Sequence, residues 1–283
     1  MIGTGNVKGD PEALMSNPIL SDKNFRVGGR GASTLPPPVG WHPPIDDGPT
    51  TRGPTTTERM SVGGVVSATG WLFALLLISA AFGWAAVPSV AQGEPIEFPG
   101  IAMIGVIVGF VAVIACVFKP NLARYLGPVY ALAEGYFVGA ISKAYENYHD
   151  GIVVQAAGAT VAVFAVMLFL YSSRIIKVTD RFRRIVIGAT VGIMVFYLVS
   201  FVINLVGGNV PFLQSTSLFG IGFSVLVAGI AAFNLALDFD FIERGSQAGL
   251  PKHMDWMAAL GLVVTIVWLY LEILRLLSKL RSR

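Results

Sequence analysis

Seven long apolar segments alternate with short polar connections along most of this chain. Each segment approaches the roughly 20 residues that an α-helix needs to cross about 30 Å of hydrocarbon. Turn-forming and polar residues such as Lys119-Pro-Asn and Asn147-Tyr-His-Asp-Gly separate the segments. The pattern therefore predicts an all-α membrane protein with seven transmembrane helices, at about 63–87, 101–118, 125–143, 152–171, 184–206, 218–241 and 256–278.

The first 60 residues differ in composition from the rest of the chain. Pro, Gly, Thr and Ser dominate stretches such as 35–44 and 48–57. A segment of this kind buries too little apolar surface to offset the entropy lost on ordering. We therefore expect residues 1–60 to form a disordered cytoplasmic tail and residues 61–283 to form the membrane domain. The tail lacks the pattern of a secretory signal, and Met15 leaves a second translation start open.

Composition and motifs narrow the class of protein. A hydrophobic fraction of 54%, a charged fraction of 13% and a mean hydropathy of +0.68 exclude an ordinary soluble domain. The single cysteine, Cys116, permits no intrachain disulfide. No phosphate-binding loop, His-Glu-x-x-His pair or Gly-x-Ser-x-Gly elbow is present, and the basic residues form no aromatic-interleaved stripe. We expect neither an enzyme, a resident cofactor nor nucleic-acid binding.

The distribution of basic residues predicts the orientation in the membrane. Alternate connections and the end of the tail carry eleven Lys and Arg residues, whereas the other side carries only Lys143. Basic residues favour the cytoplasmic side, so the N-terminus is predicted to be cytoplasmic. Four basic residues within or after the end of the last apolar segment oppose a seventh crossing: Arg275, Lys279, Arg281 and Arg283. The last helix therefore either spans or re-enters, and we favour a span.

Two segments contain pairs of glycines four residues apart, Gly135–Gly139 and Gly188–Gly192. Small residues at this spacing let helix backbones approach closely in a membrane. We interpret both pairs as general helix-packing positions.

Several carboxylates lie at membrane depth, where a charge costs about 2.5–3.5 kcal/mol on insertion scales. Asp238 and Asp240 end the sixth segment, Glu272 lies deep in the seventh, and Glu134 lies about 15 Å into the third. Such residues usually face a protein interior or a watery cavity and handle ions or protons. Asp238 and Asp240 are two residues apart and point to different sides of a helix, which disfavours an intramembrane aspartyl protease.

These acids have different expected roles. Asp238 has Asn234 one turn before it, so two oxygen-bearing side chains share one helical face, and we favour a functional role. Glu134 has no cation one turn away, and functional and structural roles remain equally open. Asp240, a supporting candidate, and Glu243 are expected to be solvated charges at the helix end. For Glu272, a salt bridge with Arg275 is the structural alternative.

Several motifs resemble the Bax inhibitor-1 family, in particular its long bacterial branch. They are Leu235–Glu243, Trp268–Leu274, Ala131–Ser142, Gly151–Ala156 and Ile185–Thr190. The resemblance extends from about Met15 to the end of the chain. It implies a seven-helix fold in which the last helix is central. It also implies a calcium leak that is regulated by pH through a pair of acids, one on each of the last two helices.

Asp238 matches the first acid of that pair, and Glu272 is the only acid available as the second. An ungapped alignment of the C-terminal ends instead places Thr265 there, seven residues before Glu272. Two carboxylates in one low-dielectric site cannot both ionise cheaply, and their oxygens suit Ca²⁺. We therefore expect Asp238 and Glu272 to sense pH and bind calcium, with Glu134, Asn234, Asp240 and Arg275 as further candidates.

The expected function is a pH-sensitive calcium leak in the plasma membrane of a bacterium. The alternative is a membrane factor that does not transport ions but binds and regulates a membrane protease or other integral membrane proteins. Expected partners are lipid, calcium, protons and, under the alternative, such membrane proteins.

Overall fold

The computed structural model describes residues 59–90, 98–205 and 217–283. Nearly all of the predicted tail lies outside these ranges, so its disorder stays a prediction. Seven α-helices are described, joined in one place by a 3₁₀ turn at Pro120–Leu122. They are α1 Val62–Ala86, α2 Gly100–Phe118, α3 Ala123–Tyr148, α4 Ile152–Ser172, α5 Asp180–Leu205, α6 Leu218–Gln247 and α7 Met254–Arg281. The predicted all-α class is confirmed for this part of the chain.

The helices extend beyond several predicted apolar segments. The clearest case is α6, which continues to Gln247 although its apolar run ends at Phe241. Polar side chains one turn apart support this extension, because Arg244 Nε donates to Asp240 Oδ1 (2.8 Å) and Gln247 Nε2 donates to Glu243 Oε1 (3.2 Å). Hydropathy marks the membrane-embedded part of a helix, whereas such side-chain pairs continue it into polar surroundings.

Six of the seven described helices are long and apolar enough to cross a membrane. The exception is α3, which is 26 residues long but carries several charged residues and Pro128 within it. Large apolar side chains are exposed on the outer faces of the others, among them Phe82, Phe110, Val154 and Ile185. Exposed apolar surface on this scale suits contact with lipid rather than water. The fold is that of a multi-pass membrane protein.

The last helix, α7, lies in the interior of the described helices. Its most apolar window is 61% buried, whereas the corresponding windows of the other five candidate spans are at most 28% buried. It contacts α1, α3, α4 and α6, and Leu260, Val263 and Leu274 are almost completely buried. The core of the protein is therefore built around α7.

Glycine brings α1 and α3 into backbone contact. A Cβ at Gly135 would collide with the backbone of Leu76, and one at Gly139 with the backbone of Ala80. This glycine pair therefore acts as a close-packing motif. At Gly188 and Gly192, by contrast, a Cβ would meet no described atom within 4 Å. The second glycine pair does not pack against any described part of this chain.

A short segment before α1 is fastened to the connection between α6 and α7. Arg59 forms an isolated β-bridge with Pro251, and Met60 N donates to Leu250 O (2.6 Å). Ser61 N then donates to Oδ1 of the buried Asp255 (2.9 Å). The start of α1 is thus held at the start of α7.

At its other end, α7 contacts the turn between α3 and α4. Arg281 Nη1 donates to Asp150 O (2.7 Å), and the His149 Nε2 and Ser282 Oγ atoms are 3.1 Å apart. The helix is continuous from Met254 to Arg281 and ends far from its start. It does not break and return within the described residues.

We expect Gly139→Ala to lower the stability of the protein by about 1–3 kcal/mol, because the added methyl group forces the backbones of α1 and α3 apart. The apparent melting temperature of the purified protein in detergent measures this loss. Gly188→Ala is the matched control, since its methyl group meets open space. Equal melting temperatures for the two variants would contradict the proposed close packing.

Candidate functional site

The contact between α6 and α7 brings together most of the predicted site residues. The two helices run in opposite directions, and Lys279 near the end of α7 donates to Gly220 O (3.1 Å) and Ser224 Oγ (2.9 Å) near the start of α6. At the opposite end of the pair, Asp238 on α6 faces Gly261 on α7. These two contacts define the register in which α6 and α7 face each other.

Asp238 lies half-buried at this contact. A Cβ at Gly261 would lie 3.7 Å from Asp238 Oδ1, so the missing side chain leaves room for the carboxyl group. The Thr265 side chain, one turn further along α7, lies next to the same group, and its hydroxyl donates to Gly261 O (3.1 Å). Oδ2 of Asp238 is buried and has no hydrogen-bond partner among the described residues.

Asn234, one turn before Asp238, binds α5 rather than α7. Its Nδ2 donates to Thr190 Oγ1 (2.8 Å) and to Ile230 O (2.9 Å). Its role is therefore to tie α6 to α5 beside Asp238.

The expectation that Asp240 is a solvated charge is wrong. Asp240 is buried, and it accepts from Arg183 Nη2 on α5 (2.7 Å) and from Arg244 Nε (2.8 Å). The two arginines offset the unfavourable burial of the Asp240 carboxylate. The sequence of α6 alone could not reveal this arrangement, because Arg183 lies on α5. Glu243 does lie at the helix end, where it pairs with the exposed Arg174.

Glu272 is buried in a cluster that joins α5 and α7. Its side chain is only 1% exposed, and its Oε1 accepts from Tyr197 Oη (2.5 Å) and from Arg275. Arg275 Nη1 also donates to Tyr197 Oη (2.6 Å), and Tyr145 of α3 interacts with the same arginine. Oε2 of Glu272 is buried without a partner in the described ranges. The Arg275 salt bridge considered from the sequence is thus present.

Asp238 and Glu272 are not brought together. Glu272 lies seven residues after Thr265 on a continuous helix, a rise of about 10 Å. The contacts of Lys279 with Gly220 and Ser224 fix which residues of the antiparallel helices face each other. In this register Glu272 faces α6 near Gly229. Asp238 lies about nine residues further along α6, a distance of roughly 13 Å. The predicted site, in which Asp238 and Glu272 lie side by side, is therefore not formed here. Thr265 occupies the α7 position opposite Asp238. The pH-sensing roles of the two acids stay predictions.

Glu134 lies elsewhere, between α2 and α3. A Cβ placed at Gly109 of α2 would lie 3.0 Å from Glu134 Oε2, so the carboxyl group contacts α2 at this glycine. The Tyr130 ring lies next to the same glycine. Within the described ranges, no group of three or more His, Cys, Asp and Glu residues could hold a metal ion. Asp238 and Glu272 accordingly do not form a joint calcium ligand set in this arrangement.

A polar stripe on α5, not predicted from the sequence, binds three of the candidate residues. Arg183 binds Asp240, Thr190 binds Asn234, and Tyr197 binds Glu272. The three residues are seven apart, a spacing of about two helical turns that places them on one face. This regular spacing in an apolar segment was the signal available in the sequence. The contact of Lys279 with α6 was also not predicted, because Lys279 lies among the basic residues at the end of the chain.

The fold and these buried polar contacts define a multi-pass α-helical membrane protein with ionisable side chains in its interior. The sequence profile of the family described as "Bax inhibitor 1 like" matches residues 17–282. The chain therefore belongs to the Bax inhibitor-1 family, as its motifs suggested. Comparison with curated proteins gave no match.

We expect Asp240→Asn to lower stability by about 1.5–3 kcal/mol, because Arg183 and Arg244 both lose a charged acceptor at a side chain that is 7% exposed. Denaturant unfolding in detergent measures the change. Glu243→Gln is the matched control on the same helix, and its exposed ion pair with Arg174 contributes no more than about 1 kcal/mol. A larger loss for the control than for Asp240→Asn would refute this ranking.

Proposed function

We propose that this protein is a non-enzymatic, pH-sensitive calcium leak in which Asp238 and Glu272 sense protons on the last two helices. The observation that carries the proposal is the Asp238 carboxyl group, whose Oδ2 is buried without a partner where α6 meets the interior helix α7. Asp240 and Asp238 both lie on α6. Asp240 has two arginine partners, whereas no cation among the described residues contacts Asp238.

The mechanism follows from the electrostatics of a carboxyl group in an apolar interior. The neutral form of such a group is favoured over its charged form unless a cation or several donors surround it. With Asp238 neutral, α6 and α7 pack together and the path stays closed. When Asp238 loses its proton, the charge requires water or a cation, and the two helices separate to admit them.

Calcium is the proposed ion because the family resemblance implies it and because hard oxygen ligands suit it. Asp238 and Thr265 place such oxygens at one level of α7, and Glu272 places them at a second level about 10 Å further along the helix. An ion that moves along these levels would meet one carboxylate at a time, which fits a leak better than a tight binding site.

We extend the proposal to a seven-span bundle around a central α7, with α3 as the seventh span. The 26 residues of α3 give a helix of about 39 Å, long enough to cross a bilayer. It packs against α1, α2 and α7, so its polar side chains can face protein rather than lipid. The asymmetry of basic residues supports a cytoplasmic N-terminus in a bacterial plasma membrane.

A second candidate function is the binding and regulation of a membrane protease or other integral membrane proteins. The observation that favours it is the Gly188–Gly192 pair on α5, which packs against no described part of the chain. A small-residue stripe of this kind can accept a helix from another protein. Calcium flux into liposomes that contain only this protein discriminates between the two functions.

We expect calcium flux into such liposomes to rise about tenfold as the pH is raised from about 5 to 8, the range in which a buried carboxyl group can titrate. Asp238→Asn should keep flux low at every pH, because the amide remains neutral. Glu272→Gln should also flatten the pH response, and the double variant should add little if the two acids act as a unit.

Glu134→Gln is the matched control, since it removes a half-buried acid that lies between α2 and α3. Loss of the pH response in this variant alone would show that Asp238 and Glu272 are misassigned. An absence of flux at any pH in this range would favour the second candidate function.

The orientation is tested by labelling single cysteines in intact cells, after replacement of the buried Cys116. We expect Asp150→Cys, in the turn between α3 and α4, to react with a membrane-impermeant reagent. Lys177→Cys, in the connection between α4 and α5, should react only after the membrane is opened. The reverse pattern would overturn the proposed topology.

A further inference from the structure

A long cleft separates α1 from α4. Helix α1 packs chiefly on α3 and α7, whereas α4 packs chiefly on α6 and α7. The space between them is a cavity of about 760 Å³, which adjoins a second cavity of about 610 Å³. Both cavities are lined by Val66, Thr69 and Phe164, so they adjoin at these residues. We call the two cavities together the α1–α4 cleft.

The α1–α4 cleft has the length and the surface of a hydrocarbon-binding site. Its lining on α1 extends from Val62 to Trp84, a rise of about 33 Å, which is close to the thickness of the hydrocarbon core of a bilayer. Three polar side chains of the lining are already bonded within the protein. Ser142 Oγ and Tyr270 Oη lie 2.6 Å apart, and Thr160 Oγ1 donates to Ala156 O (2.7 Å).

The mouth of the cleft near the α4–α5 connection carries a cation. Arg174 lines the second cavity, and its side chain is 62% exposed. Glu243 binds the Nη1 and Nη2 atoms of this arginine. A guanidinium group has five N–H donors, so Arg174 retains donors for a further anion. The nearby connection also carries Lys177, and the first turns of α5 carry Arg181 and Arg184. All three residues are exposed and favour negative charge.

The backbone at Arg174 supports a specific role for its side chain. Arg174 has a φ of 57°, and it is the only described residue other than glycine with a positive φ. Glycine usually occupies this left-handed position after a helix, and a larger residue there is strained. The strain is tolerated at the residue that places a guanidinium group at the mouth of the cleft.

We propose that the α1–α4 cleft binds one phospholipid of the surrounding bilayer, with an acyl chain between α1 and α4 and an anionic phosphate group at Arg174. The apolar lining matches the chain, and the exposed guanidinium matches the phosphate geometry. Thr69 Oγ1, at the junction of the two cavities, is buried without a hydrogen-bond partner in the described residues. The ester groups of a phospholipid supply acceptors for such a hydroxyl.

The bound lipid touches the interior helix of the bundle. Leu262, Ile266, Val267 and Tyr270 of α7 form part of the lining of the cleft. The lipid therefore contacts α7 in the space between α1 and α4. This site is separate from the Asp238 contact and does not depend on the proposed calcium leak.

The test is lipid retention by the full chain. The protein is reconstituted in vesicles of equal parts phosphatidylcholine and phosphatidylglycerol, extracted in mild detergent, and examined by native mass spectrometry. Gly70→Phe and Ala157→Phe fill the cleft from its two walls. Gly158→Phe is the matched control, because Gly158 lies beside Ala157 on α4 but does not line the cleft, and a Cβ meets open space at both glycines.

We expect the unaltered protein and Gly158→Phe to retain one phospholipid, with phosphatidylglycerol preferred. Either cleft-filling variant should retain about tenfold less, a change of one decade in affinity. Arg174→Gln should retain lipid without the preference for phosphatidylglycerol, whereas the control Lys177→Gln should keep it. Retention by both cleft-filling variants at the unaltered level, or no retained lipid in the unaltered protein, would overturn the proposal. An unchanged preference in Arg174→Gln would overturn the headgroup assignment.

Discussion

Polar side chains of the interior helix α7 depend on partners that neighbouring segments supply. Ser61 before α1 binds Asp255, Ser142 of α3 binds Tyr270, and Tyr197 of α5 binds Glu272. At the far end, α6 binds Lys279. An unpaired polar group in this interior would cost several kcal/mol. The segment before α1 and the helices α3, α5 and α6 are therefore each tied to a polar group on α7, and apolar packing fills the space between these contacts.

Asp238 stands out against this pattern of paired groups. Its neighbour Asp240 is held by two arginines, whereas the space around Asp238 contains a glycine and a threonine. The protein can therefore bury the Asp238 carboxyl group most easily in its neutral form. This contrast between two acids on one helix, rather than the mere presence of acids at membrane depth, makes Asp238 the stronger candidate for a functional residue.

Hydropathy predicted the seven helices because apolar runs of this length have few alternatives to a helix in a membrane. The same segments place Asp238 on α6 and Glu272 on α7. The partners of those acids could not be predicted in the same way, since Arg183, Thr190 and Tyr197 come from a helix distant in the sequence. The separation of Asp238 and Glu272 follows from the register of two helices, which depends on contacts such as that of Lys279 with Ser224. Composition does not encode such contacts.

The backbone contacts of Arg59 and Met60 attach the residues just before α1 to the α6–α7 connection. Ser61, the next residue, donates to the side chain of Asp255. Asp255 begins the first turn of α7, the helix on which the core is built. A displacement of residues 59–61 would therefore break hydrogen bonds to both the α6–α7 connection and the first turn of α7.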